Sequence, residues 1–409
     1  MINLLHIPEG VRDIYGQECI NKAKFENEIK KCMHSYGYGD VVTPSFEYFD
    51  IFNKERGTMS SRDMYKFFDK DGNTLVLRPD ITPPMARVTA KYFKDSFMPV
   101  RLCYRAKQYI NHSSLQGKLK ETTQLGAELY NDASVYADFE ILLIAIKSIL
   151  SCGVQKFQLE IGITDFYYGI TEKAGIDGEE EEKLRELLEQ KNFFGLENFA
   201  RACNATEDIK VLISGLAELY GGTEIFEKVK KLSLPEKSLH ALERLESLNT
   251  MLAGLGYDKY VSFDLSMPSK FSYYTGIFFR GITYGTGEPI AYGGRYDKLV
   301  KQFGLDVPAI GFSITLDYLM MGLEREGLMP DAKRDVCLLF YGEEDGLEAF
   351  KKAEELRAGG QKVRMVMDND GSISEKLREY HDMIINDETK KVIVHELETF
   401  DIGDVMVLN

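Results

Sequence analysis

The sequence predicts an α+β fold with a small α/β domain at its C-terminal end. Three observations predict it. At 409 residues, 44% apolar and 28% charged, the chain has a soluble globular composition and is too long for one ordinary core. Over the first 330 residues, hairpin and strand-pair patterns are interspersed with long helical stretches. After Pro330 and the charged DAKRD stretch, strand and helix patterns alternate singly. The expected division is a first domain over 1–328, with a helical insertion at about 171–256, and a second over 329–409.

Residues 16–36 predict an amphipathic helix with Ile20, Phe25, Ile29, Cys32 and Met33 on or near one face. YGYGDVVTPSFE (36–47) reads as a turn, a short strand and a proline-set bend. Phe67–Asp69 and Leu75–Arg78 flank DKDGN (69–73), a hairpin pattern. Pro83 and Pro84 stand where a helix can begin, since proline is tolerated in a first turn. Residues 100–109 and 122–130 read as a strand pair around a polar loop, and Ser134 to Gly153 as a capped helix. KFQLEIGI (156–163) alternates as a strand does. The next stretch is mainly helical, and its acidic run Glu179–Glu182 suits a solvated helix start. Strand patterns return at 259–265, 271–284 and 289–292, followed by helices from about 295 and 314. In the last domain, strands at 335–341, 362–367, 383–386 and 391–395 accompany helices at 345–358 and 372–380.

Several function classes are disfavoured. The run FEILLIAIKSIL (139–150) is broken by Glu140 and Lys147 and falls short of the roughly 18 apolar residues of a membrane span. It predicts a buried helix. The start, MINLLHIPEG, has neither a basic region nor a small-residue cleavage site. Cys19, Cys32, Cys103, Cys152, Cys203 and Cys337 stand far apart, with no CxxC and no histidine at metal spacing. No disulfide framework and no metal centre are expected, and a reducing cytoplasmic location is. A formal charge of −15, with 19 acids against 11 bases in 331–409, argues against a nucleic-acid partner. GxxxxGK[ST] and GxGxxG are both absent, so no phosphate-cradling loop of either kind is expected.

Three stretches concentrate polar groups where strand and turn signals order the backbone. In LVLRPDITPPMAR (75–87), Asp80 and Thr82 stand two apart on an extended segment and can face one side. A carboxylate beside a hydroxyl suits a bound ammonium; equally, the two can cap the following helix. In KETTQLGAELY (120–130), Gln124 and Glu128 share a strand face, with Gly126 removing bulk between them. They can hold an ammonium or an imidazole N–H, or belong to a structural network, because burying Glu128 without a partner is costly. In FSYYTGIFFRG (271–281) and AYGGRYDKLVKQFG (291–304), Tyr273 and Tyr274 can wall a flat ligand. Gly293 and Gly294 allow close backbone approach, although a double glycine by itself more often marks a turn.

Taken in order, these stretches resemble the catalytic domain of histidyl-tRNA synthetases over most of residues 5–325. IPEGVRD (7–13) matches the family's opening, and Pro44 the proline of class II motif 1. LRPDIT (77–82) resembles the family's Leu-Arg-Pro-Glu-Gly-Thr, and GKLKETTQLGAE (117–128) the end of motif 2. GGRYDKLVKQFG (293–304) resembles a histidine-family signature, and PAIGF (308–312) leads into motif 3. The resemblance implies a class II aminoacyl-tRNA synthetase-like antiparallel sheet flanked by helices, a homodimer built by motif 1, and a reduced anticodon-binding domain over 329–409. It also implies that Asp80, Thr82 and Gln124 hold an α-ammonium, while Glu128 and Tyr274 address an imidazole.

The departures bear on chemistry. The motif 2 arginine, which grips the ATP α-phosphate in the family, falls on Ile110. Arg105 takes its place only if the loop is longer by about five residues. The motif 3 arginine falls on Tyr318, and the arginine preceding the paired tyrosines on Ser269. Losing one such transition-state donor typically costs about 100- to 1000-fold in rate. The resemblance therefore implies a pocket that outlives its chemistry, with no catalytic residue and no cofactor. LRPDITPPMAR and TQLGAEL (123–129) resemble more closely a family of synthetase paralogues, the regulatory subunits of ATP phosphoribosyltransferase in histidine biosynthesis. That resemblance implies a short-form catalytic subunit as partner, histidine as feedback ligand, and homodimers within a hetero-oligomer. A divergent histidyl-tRNA synthetase and a free-standing histidine sensor are the alternative readings.

Overall fold

The computed structural model describes residues 5–52, 59–113, 118–266, 273–330, 336–369 and 371–373, and the backbone of 402–407. The chain forms two compact units, Met1–Val11 with Phe25–Leu328, and Arg12–Lys24 with Met329–Asn409.

Helix α1 (Gly16–Ser35) buries Phe25, Ile29 and Met33, which recur every fourth residue. Ile20, expected on that face, is 43% exposed, because five residues before Phe25 it falls off the stripe. The chain continues through β1 (Gly39–Asp40), β2 (Phe46–Tyr48), the hairpin β3 (Lys66–Phe68) and β4 (Thr74–Leu77), and α2 (Thr82–Tyr92). Next come β5 (Val100–Tyr109), β6 (Glu121–Tyr130), α3 (Val135–Ser151) and β7 (Phe157–Ile163). The helical stretch begins earlier than expected, with α4 (Thr164–Ala174) following β7 directly. It continues through α5 (Gly178–Glu189), α6 (Phe193–Ala202), α7 (Glu207–Gly215), the short strand β8 (Tyr220–Gly221), α8 (Glu224–Val229) and α9 (Glu236–Gly254). Then follow β9 (Val261–Asp264), β10 (Ile277–Thr283), β11 (Ala291–Arg295), α10 (Asp297–Lys301), β12 (Ala309–Thr315) and α11 (Leu316–Arg325).

These strands form a nine-stranded sheet in the order β1-β5-β6-β12-β11-β10-β7-β9-β8. From β5 to β7 every neighbour is antiparallel. Parallel pairs, β1 with β5 and β7 with β9, make the sheet mixed at its margins. Strands β2, β4 and β3 form a separate antiparallel sheet. Helix α3 contains the apolar run that stops short of a membrane span, and both charges within that run have partners. Glu140 accepts from Arg101 at 2.8 Å, and Lys147 donates to the Tyr36 hydroxyl at 2.8 Å. Among the described residues, no helix is long and apolar enough to cross a membrane.

In the second unit, β13 (Val336–Tyr341) pairs in parallel with β14 (Lys362–Met367) and β15 (Ile402–Val407). Helix α12 (Gly346–Ala358) seats Ala349 and Ala353 against Leu339. Of the helix expected at 372–380 only its first two residues are described, and the strands expected at 383–386 and 391–395 lie outside the described residues.

Two buried guanidiniums tie the first unit together. Arg78 donates to Thr43 O at 2.7 Å, Pro44 O at 2.8 Å and Lys107 O at 2.8 Å, fastening the bend before β2 to β5. Asp138, fully buried in the first turn of α3, accepts from Arg295 Nε at 2.9 Å and Arg244 Nε at 2.6 Å. Removing one member of a buried ionic group leaves the other uncompensated. Asp138→Ala is therefore expected to lower stability by about 3–5 kcal/mol in urea denaturation; a cost below about 1 kcal/mol would show the group to be dispensable.

Candidate ligand-binding site

A cavity of about 490 Å³ is lined by β5, β6, β11, β12, the start of α2 and the segment before β10, and all six sequence-predicted residues line it. Asp80 and Thr82 do not stand on an extended segment. The chain turns at Ile81, and α2 opens at Thr82 with Pro83 and Pro84 in its first turn. Asp80 Oδ1 accepts the Thr82 backbone N–H at 3.0 Å, so this carboxylate orders the helix start and lines the cavity at once.

The two-residue period of β6 places Thr122, Gln124 and Glu128 toward the cavity. Gln124 Nε2 donates to Gln108 Oε1 at 2.9 Å, and Gln108 Nε2 donates to Pro79 O at 2.7 Å. Gln108 was not anticipated, although the same period along β5 puts it beside Ile110. Arg105 takes the opposite parity and pairs with Glu26 on α1 at 2.8 Å, away from the lining.

Glu128 is 2% exposed. The Tyr296 hydroxyl donates to its Oε2, and Thr82 Oγ1 lies 3.5 Å from its Oε1. Burial pushes its carboxyl up to about 8; the charge of Asp80 adds to this, while the two hydroxyls oppose it. Two glycines make room here. A Cβ at Gly311 would collide with Glu128 Oε2, and one at Gly126 with the Tyr104 hydroxyl, so the space Gly126 leaves is filled by a tyrosine. Tyr273 and Tyr274 stand edge to face at 4.9 Å, and Tyr273 meets Tyr296 at 6.1 Å, forming an aromatic wall. Gly293 and Gly294 lie within β11 and mark no turn; the ring of Tyr274 packs on Gly294. Tyr296 was also missed, though it follows the paired glycines in sequence.

Ile110, His112, Tyr292 and Tyr318 also line the cavity. Lys118 also lines it and is paired with Glu288 at 2.7 Å. Among the described lining residues there is no arginine. Ser269 lies outside the described residues.

One cluster escaped linear spacing. His34 Nε2 lies 3.1 Å and Cys103 Sγ 3.6 Å from the Asp40 carboxylate. Lys30 already pairs with that carboxylate at 3.0 Å, and burial pushes the Cys103 thiol up to about 12. The arrangement accounts for itself as a polar network without an ion.

The sheet and its cavity define a histidyl-tRNA synthetase-like protein, and residues 10–319 match the family described as Histidyl-tRNA synthetase. Relatives narrow this further. The ATP phosphoribosyltransferase regulatory subunit of Acetivibrio thermocellus is 38% identical over 98% of this chain and 97% of its own length. That of Clostridium kluyveri is 38% identical over 87% of this chain and 91% of its own length. A solved structure from Bacillus halodurans, described as an ATP phosphoribosyltransferase regulatory subunit/histidyl-tRNA synthetase, matches with a TM-score of 0.83. It is 28% identical and covers 100% of this chain and 99% of that one. The chain belongs to the family of ATP phosphoribosyltransferase regulatory subunits, and its fold is the class II synthetase-like α+β fold expected from sequence.

The buried carboxyl of Glu128 makes stability depend on pH. Between its ordinary 4.5 and about 8, the folded state holds a proton that the unfolded chain releases, so its contribution to stability declines as pH rises through that window. Glu128→Gln removes the dependence. Without ligand, the variant should gain on the parent by on the order of 4 kcal/mol between about pH 5 and pH 8.5. Denaturant midpoints at the two pH values check this; a constant difference would place Glu128 in an ordinary environment.

Proposed function

We propose that the chain is a non-catalytic regulatory subunit of ATP phosphoribosyltransferase. In this reading it is required by a short-form catalytic subunit in the cytoplasm and carries histidine feedback through its synthetase-like cavity. One observation carries the proposal: the cavity keeps Asp80, Thr82, Gln124, Glu128, Tyr273 and Tyr274 together, while Ile110 and Tyr318 stand where the synthetase resemblance expects arginines. Acids, amides and tyrosines suit an ammonium and an imidazole. A polyphosphate requires cations, and Lys118 in the lining is already held by Glu288. The activity therefore resides in the partner. We further propose that the subunit is a homodimer within the hetero-oligomer. The β2-β4-β3 sheet supports this, because Phe46 and Tyr48 are 53% and 56% exposed on one of its faces, with Phe67 packed edge-on against Phe46.

Mixing the full chain with a short-form catalytic subunit is expected to raise phosphoribosyltransferase activity, and added histidine to lower it again. Histidine-dependent ATP–pyrophosphate exchange by the chain alone should stay at background. Unchanged transferase activity with and without histidine, or robust exchange, would overturn the proposal. Asp80→Ala and Gln124→Ala are each expected to weaken histidine binding by about 10- to 100-fold, as measured by calorimetry.

A further inference from the structure

We infer that Glu128 and the ring of the bound ligand share a single proton, which fits the cavity to an imidazole-type base and makes its affinity bell-shaped in pH. The inference rests on the histidine reading and adds to it the protonation state of the complex.

The geometry is that of a buried acid among hydroxyls. Glu128 is 2% exposed. It faces the hydroxyls of Tyr296, just after β11, and of Thr82 at the start of α2, and just before α2 the carboxyl of Asp80. Tyrosines surround it: buried Tyr104 on β5 and Tyr130 beside it on β6, and the half-buried pair Tyr273 and Tyr274. Gly311 closes β12 against it. Each group that shifts this carboxyl is a hydroxyl or another carboxyl. A bare carboxylate is disfavoured in such surroundings, whereas a protonated acid is neutral.

A ring with one basic nitrogen resolves this electrostatic constraint. It can accept a hydrogen bond from the protonated acid, or take the proton and pair as imidazolium with carboxylate. Both forms hold one proton between the partners and carry no net charge. A complex of neutral imidazole with bare carboxylate would leave one negative charge buried, and a doubly protonated complex one positive charge.

The proton balance follows. In the middle range the protein supplies the proton from Glu128 and the ligand arrives neutral, so nothing is exchanged with water. Below the imidazole value of about 6.5, free ligand is already protonated and binding must release one proton to solvent. Above about 8, Glu128 is ionised and binding must take one proton up. Affinity therefore peaks between these values and falls about tenfold per pH unit on either side.

Calorimetry of L-histidine binding to the full chain, in buffers of different ionisation enthalpy, counts the protons at about pH 5.5, 7.2 and 8.8. Apart from the part due to the ligand's own α-ammonium, the expected counts are close to one released, none exchanged and one taken up. Glu128→Gln should keep the release in acid and take up close to one proton fewer than the parent in alkali; the α-ammonium contributes equally to both proteins and cancels in that difference. Release of one proton at neutral pH, or an alkaline uptake equal in the parent and in Glu128→Gln, would overturn the inference while leaving histidine binding intact. Absence of histidine binding at every pH would overturn the functional reading and this inference with it.

Discussion

Arg295 stands at the end of β11, and its guanidinium is held by the fully buried carboxylate of Asp138 at the start of α3. This ionic contact sets the position of the next residue, Tyr296, whose hydroxyl reaches Glu128. Arg244 from α9 joins the same carboxylate, so the helical stretch, the sheet and the cavity floor meet at one point. Buried ion pairs add little net stability over apolar packing, because desolvation offsets their attraction. What this one contributes is placement. A carboxylate held by guanidiniums from β11 and α9 leaves β11 one arrangement at its end, and with it the tyrosine that orients the acid.

The cavity lining brings together two sets of side chains. One comprises Asp80, Glu128, two amides and tyrosines; the other comprises Ile110, Tyr318 and a lysine already paired with Glu288. Adenylate chemistry asks for positive groups that offset the charge developing on the phosphates, and among the described lining residues there is no arginine. Under the proposed function, recognition and catalysis draw on different residues of one cavity, and the second set can be replaced by apolar and aromatic side chains while the first stays in place.

The fold was legible wherever a pattern had local causes. The DKDGN turn, the serine cap of α3 and the β5–β6 alternation each fix an element through neighbours in sequence. The boundaries of short elements were less so. Strand β10 begins only at Ile277, and α4 follows β7 without a loop, because sheet pairing rather than propensity ends these segments. At the site, the six expected residues line one cavity, and of the two readings open for Asp80 the helix-start one is seen in the structure. Its carboxylate acts from a helix start, because the paired prolines begin α2 there. Gln108 and Tyr296 were missed for another reason. The period along β5 puts Gln108 on the cavity side, but its bond to Gln124, like that of Tyr296 to Glu128, joins different segments of the chain. The His34, Asp40 and Cys103 cluster shows the same limit, since its members come from α1, β1 and β5.

A regulatory site has to bind its ligand and also bias an equilibrium that the partner senses. The cavity is suited to that by what builds it. Its walls include neighbouring strands of one sheet and the start of α2, and these cannot shift without disturbing a register or a buried hydrogen bond. Packed elements of this kind move between discrete arrangements rather than bending continuously. A ligand that supplies the basic partner of Glu128 stabilises one such arrangement in proportion to the electrostatic cost it removes, and a buried acid among tyrosines makes that cost large. The feature that lowers the stability of the empty protein is thus the same one through which a small base can shift the balance between states.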